Sequence, residues 1–345
     1  MKFDYLIVGS GLSGVMLCEA LRKRGKSFKV FSNKSQQASI VASGLYNPVV
    51  LKRFNIAWDA EKHLPVAMSA YKELELFLGI KIDYKLPIYR LFSSIEEQNN
   101  WIIASDKISL KPYLISNIKS NINQNIYAPY GYGEVKSTGR IDTKLLLESY
   151  SNVLNNEKLI SHESFQYDKL KISKKIVYKG IESNKIIFSE GFGVRQNPFF
   201  NYLPIDGTKG ELIIINAPKL NSEVIIKSSV FIIPIGNNNY LVGSTYAWDD
   251  FNNDPTINAK NKLLHKLDKL VLCPYKVVYQ RAGIRPTVID RRPLVGQHKS
   301  HKNLYILNGL GSRGVLIGPT VANALINFIE DKLPLQKEIN ISRFD

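Results

Sequence analysis

Three glycines are spaced as if to hold a phosphate: Gly9, Gly11 and Gly14, within the run Gly9-Ser10-Gly11-Leu12-Ser13-Gly14. In such a turn the first glycine makes a tight bend and the second lets backbone approach a pyrophosphate. The third lets the following helix pack closely on a strand. A diphosphate bound there would rest on the unpaired N–H groups of a helix N-terminus. The flanks give the motif its weight. Phe3 to Val8 is a short apolar run of the kind a buried parallel strand takes, Val15 to Arg24 reads as a helix stopped by Gly25, and Phe28 to Phe31 reads as a second strand. Twenty-three residues after Gly9 comes Ser32, followed by Asn33 and Lys34, where a carboxylate usually binds the adenosine ribose. Serine holds a hydroxyl more weakly than a carboxylate does, and a Ser-Asn-Lys end also suits a 2′-phosphate. That segment by itself therefore leaves NADP open.

These residues need a frame. The 345 residues suit two packed domains, and 44% hydrophobic with 22% charged residues is ordinary globular composition. No stretch approaches the roughly 18–20 apolar residues of a membrane span, and Met1 to Tyr5 does not resemble a signal peptide. Cys18 and Cys273 are too few for a disulfide framework or a zinc site, and the five histidines show no metal-ligand spacing. A cytoplasmic enzyme without a metal is the expectation. The sequence implies no oligomeric state.

The net charge of +16 has two readings. From Ala259 to Lys302 there are eleven Lys/Arg against Asp268 and Asp290, more than half of the excess. A polyanion such as tRNA would bind such a stretch, but charge runs are more often solvated faces. Lys262, Lys266 and Lys269 recur at helical spacing around Leu263, Leu264, Leu267 and Leu270, an amphipathic helix that either reading predicts.

The segment after the second strand, Ala38-Ser39-Ile40-Val41-Ala42-Ser43-Gly44-Leu45-Tyr46-Asn47-Pro48, resembles the D-amino-acid-oxidase superfamily of flavoproteins. That superfamily includes glycine and sarcosine oxidases and the oxidase domain of a bifunctional tRNA wobble-uridine enzyme. Three further pieces match it in order: Gly283-Ile284-Arg285-Pro286, Asp290-Arg291-Arg292-Pro293-Leu294-Val295-Gly296, and the glycine-rich entry Gly309 to Pro319 into a last helix from about Thr320 to Asp331. The resemblance implies non-covalent FAD. Ser39, Ser43, Gly44 and Leu45 would line it in the middle, with Gly191 at a strand end. Gly311, Ser312, Arg313, Gly314 and Val315 would present a helix N-terminus to the charge of reduced flavin. That need is absent from pyridine-nucleotide domains, so FAD is preferred to NADP.

The fold implied is α/β. A Rossmann-like FAD-binding domain (1–81, 136–203 and 283–345) is interleaved with a mostly antiparallel β-sheet substrate domain (82–135 and 204–282). Arg285 would hold a substrate carboxylate with its bidentate fork. Tyr246 would orient substrate, and Arg313 and Arg53 would add cationic contacts. Phe231 stands where glycine-oxidase relatives carry tyrosine, and Glu190 is unusual at its strand end. The function implied is oxidation of a C–N bond of an amino acid or N-substituted glycine by hydride transfer to flavin. Orientation and exclusion of water are the protein's part, and no catalytic His or carboxylate is required. Two alternatives stand beside it: the same oxidation on a tRNA wobble uridine, and a flavin-binding protein without turnover.

Overall fold

The computed structural model describes residues 1–345. The apolar run at the start forms the strand Lys2–Val8, whose last four residues are buried. It is central in a parallel set ordered Ile160–Ser161, Phe28–Phe31, Lys2–Val8, Ile181–Phe188 and Leu304–Asn308. The far edge of Ile181–Phe188 is shared. Its first residues pair antiparallel with Ile176–Tyr178, and its last residues pair with Leu304–Asn308. Burial on both faces explains why residues 5–8, 186–188 and 304–307 are continuously apolar rather than alternating. Helices Leu12–Arg22, Ala60–Leu78, Thr143–Asn156 and Gly314–Glu330 contribute Leu17, Tyr71, Tyr150 and Leu325 to the core on one face. Leu6, Phe31, Ile186 and Phe188 pack with Tyr178 and Phe200 on the other.

The last helix begins at Gly314, six residues before the expected start, and carries Pro319 inside it. A proline there cannot donate to the carbonyl four residues back, that of Val315. The Tyr71 hydroxyl donates to that carbonyl instead, at 2.9 Å. The proline is thus accommodated by a side chain from another helix.

A second sheet runs in the order Lys276–Val288, Ile205–Asn216, Asn239–Gly243, Phe231–Pro234, Ile225–Lys227, Ile88–Leu91 and Tyr132–Val135. Every neighbouring pair is antiparallel except Ile225–Lys227 with Ile88–Leu91. The hairpin joining Phe231–Pro234 to Asn239–Gly243 turns at Asn237 and Asn238, with φ of 52° and 57°, a region that asparagine tolerates well. The strand expected to reach Tyr246 ends at Gly243. Asp83–Lys85 lies outside this sheet and joins Leu45–Tyr46 and Gly139–Ile141 in a smaller one.

Strand periodicity sorts the second sheet into two faces. Gly210, Leu212, Phe231, Ile233, Leu241, Gly243, Gly283 and Arg285 all point into a cleft between the two sheets. Ile213, Ile215, Ile232 and Val242 point the other way and are covered by Leu263 and Leu267 of the helix Ile257–Leu267. The buried Glu211 on that far side accepts from Thr256, the residue that caps the helix. The basic helix therefore lies on the side of the sheet away from the cleft, and none of Lys260, Lys262, Lys266 and Lys269 lines it.

Candidate active site

The cleft has a volume of about 720 Å³. At one end is the first glycine turn. Gly9 has φ +110°, and a Cβ on it would stand 2.3 Å from the Ser189 carbonyl oxygen; a Cβ on Gly14 would stand 2.1 Å from the carbonyl oxygen of Gly9. Both are required by close packing. Gly11 differs. Its φ of −72° suits any residue, and the nearest obstacle to a Cβ is the Ser39 hydroxyl at 3.3 Å. What Gly11 keeps clear is the cleft itself. The Leu12 N–H donates to Ser39 Oγ at 3.1 Å, and Ser10 Oγ donates to Ser32 Oγ at 2.8 Å. Ser10, Leu12, Ser13, Ser32, Asn33 and Gly191 line this end, whereas Gly14 sits behind it.

Glu190 also lines this end, and the sequence offered no reason for it. Its carboxyl accepts from the Tyr167 hydroxyl and from Asn197 Nδ2 at 2.8 Å. Burial pushes it up to about 7, against the lowering effect of those two hydrogen bonds.

A second helix N-terminus opens on the cleft further along. Gly311–Arg313 forms a short turn leading into Gly314–Glu330, which has no side-chain cap and no acid in its first turn. The first helix shares both properties. Two positive helix ends thus face one elongated cleft. Ser39, Ser43, Gly44 and Leu45 line the wall between them with Gly311, Ser312, Arg313, Gly314 and Val315. Gly44 has φ +72°, and a Cβ there would lie 1.8 Å from the Ile141 carbonyl oxygen. Arg313 donates to the Asn47 carbonyl at 3.3 Å, joining the two walls, and burial lowers its pKa from the ordinary value.

Arg285 comes to this site from the second sheet. Its strand packs against the Ala38–Val41 turn, where a Cβ on Gly283 would meet Ala38 backbone at 3.3 Å. The guanidinium lies across Gly210, donates to Ser244 Oγ at 2.9 Å, and stacks 4.8 Å from the Tyr246 ring centre. Burial lowers its pKa, with the Tyr246 phenol acting weakly in the opposite sense, and no carboxylate stands beside it. Tyr246 is 62% exposed, a ring at the cleft mouth rather than a core residue. Arg53 is not brought to the site: it is exposed, and its neighbour Lys52 lines the cleft instead. Lys227, Ser229 and Ser244 also line the cleft without having drawn attention in the sequence.

The cleft suits FAD on its own geometry. It is long, a glycine with no folding role keeps one helix end open, and a second helix end stands at the other part. No cysteine or histidine lines it. No helix of the chain is long and apolar enough to cross a membrane.

Comparisons with known proteins agree. A glycine oxidase from Geobacillus kaustophilus is 28% identical over 134 residues, covering 38% of this chain and 36% of that protein. The tRNA 5-methylaminomethyl-2-thiouridine biosynthesis bifunctional protein MnmC of Legionella pneumophila is 22% identical over 378 residues, covering 96% of this chain. The chain spans about half the length of that relative, 54%. The crystal structure of glycine oxidase from Geobacillus kaustophilus superposes with a TM-score of 0.80 at 17% identity, covering 100% of this chain and 98% of that one. Residues 4–327 match the DAO family, described as FAD dependent oxidoreductase. The α/β fold, the two helix ends on one cleft and this match agree: the chain belongs to the DAO family of FAD-dependent oxidoreductases.

Proposed function

We propose that the protein oxidises the C–N bond of a small amine bearing a carboxylate, an amino acid or N-substituted glycine. The observation that carries this reading is Arg285: a cation without an acid, fixed by Ser244 and Tyr246 on the roof of the cleft. Such a fork is suited to bidentate capture of a carboxylate. Bound FAD would supply the two-electron acceptor. The chain's own part is to orient the amine beneath Arg285, with Leu212, Phe231 and Leu241 as an apolar ceiling that excludes water. No side-chain base is needed for an amine that arrives neutral. The glycine oxidase relative supports this substrate class.

Arg285→Lys tests it. The variant should retain FAD and lose roughly 30- to 1000-fold in kcat/KM on a carboxylate-bearing amine, the loss of about 2–4 kcal/mol from a desolvated charge-assisted pair. Undiminished activity would remove Arg285 from the site.

A second reading, the same oxidation on a tRNA wobble uridine, is supported by the MnmC relatives, which match 96% of this chain. The placement of helix Ile257–Leu267 behind the sheet counts against its lysines gripping RNA at the cleft mouth. Binding of tRNA that weakens with salt, at a log–log slope of about −0.7 to −0.9 per phosphate contact, would favour this reading.

A further inference from the structure

A second cation faces the cleft without an acid. Lys227 ends the strand Ile225–Lys227 and pairs with Phe231, which pairs with Gly243, which pairs with Leu212. All four residues line the cleft, one row across its roof. The Lys227 ammonium lies 4.6 Å from the centre of the Phe231 ring and donates to the Ser228 carbonyl. The charged groups that act on it are Arg90 and Lys266, and both repel it. Arg90 is itself paired with Glu97. Burial and those two cations push Lys227 down to about 8.

Arg285 reaches Ser244, the residue after Gly243 in that row. The two cations thus share one face of one sheet: their strands are four spacings apart, but the Arg285 guanidinium rests on Ser244 beside Asn239–Gly243, from which the Lys227 strand is two spacings, or roughly 10 Å, away. A half-buried ammonium among cations is unfavourable until an anion joins it. Nothing in the chain supplies that anion.

We infer that Lys227 binds a second acidic group of the substrate, so that the amine oxidised here is a dicarboxylate: an amino diacid, or an amino acid carrying a carboxyalkyl group on nitrogen. This rests on the carboxylate-amine reading of Arg285. With contacts of about 3 Å at each end, carboxylates roughly 4–5 Å apart would fill the interval. That is the reach of two carboxyl groups separated by roughly three or four bonds, with the amine between or beside them. The Phe231 ring then forms the apolar platform on which the Lys227 end of the substrate is held.

The test uses the FAD-loaded protein and two pairs of probes. Calorimetry compares glutarate with butyrate, which differ by one carboxylate and carry no amine. Steady-state oxidation compares iminodiacetate with N-methylglycine. Glutarate should bind about 10- to 100-fold more tightly than butyrate. Lys227→Met should abolish that difference and lower kcat/KM for iminodiacetate by a similar factor, leaving N-methylglycine within about 2-fold; Lys227→Arg should restore the preference. Equal binding of the two acids by the unaltered protein, or a Lys227→Met variant weakened alike on both probes of a pair, would overturn the inference. Failure of the carboxylate-amine reading looks different: no amine would be oxidised while Lys227-dependent binding of glutarate persisted.

Discussion

At the scale of single residues, Glu190 shows how a side chain without a motif acquires a measurable property. Held between Tyr167 and Asn197 at the cleft wall, its carboxyl is pushed up to about 7 from an ordinary 4.5. The unfolded chain ionises it near the ordinary value. The stability this carboxyl contributes when protonated is therefore complete below about 4.5 and is lost as pH rises through about 7, by no more than about 3 kcal/mol. Glu190→Gln should flatten thermal stability between pH 5 and 8 and melt higher than the unaltered protein at pH 8. Parallel pH profiles for the two proteins would show that Glu190 ionises normally. Arg285 was legible from a four-residue stretch because it sits in a local pattern, Gly-Ile-Arg-Pro, which the structure places within the strand Lys276–Val288. Lys227 was not. It reaches the cleft on a strand held between the local partner Phe231–Pro234 and the distant Ile88–Leu91, and its only trace in the sequence is a lone lysine closing the apolar run Val224-Ile225-Ile226.

At the scale of elements, the glycine turn separates folding from binding. Gly14→Ala would place a methyl group 2.1 Å from backbone, so it should destabilise the fold whether or not FAD is present. At Gly11 a Cβ would meet only the Ser39 side chain, its hydroxyl nearest at 3.3 Å, so Gly11→Val should fold with near-normal far-UV circular dichroism but lose bound FAD. A yellow Gly11→Val protein would mean that the diphosphate lies elsewhere. Turns of this kind are readable because the backbone imposes them locally. The start of the last helix was misread for the converse reason. Pro319 suggests a boundary in the sequence, and the hydroxyl that makes it tolerable comes from Tyr71, 244 residues from the Val315 carbonyl it satisfies.

For the whole molecule, the excess of positive charge and the cleft are largely separate. Lys262 and Lys266 were legible as a helix face, whereas Lys269 lies in the turn after the helix ends at Leu267; which way that helix looks depends on strand periodicity in a sheet assembled from distant segments. Lys262→Glu, Lys266→Glu and Lys269→Glu together should leave kcat/KM on a small amine within about 2-fold and FAD content unchanged, because they lie behind the sheet. A large loss on a small amine would mean that this helix communicates with the cleft through Lys227, which Lys266 repels. The two sheets meet at Arg285, whose strand belongs to one and packs through Gly283 on the cofactor wall of the other. Rapid mixing of the FAD-loaded protein with amines under anaerobic conditions tests that meeting most directly. Amines that carry a carboxylate should bleach the flavin absorbance, their decarboxylated counterparts should do so far more slowly, and Arg285→Lys should shrink the difference. Equal bleaching by both sets, or none by any carboxylate-bearing amine, would contradict the assignment of this cleft.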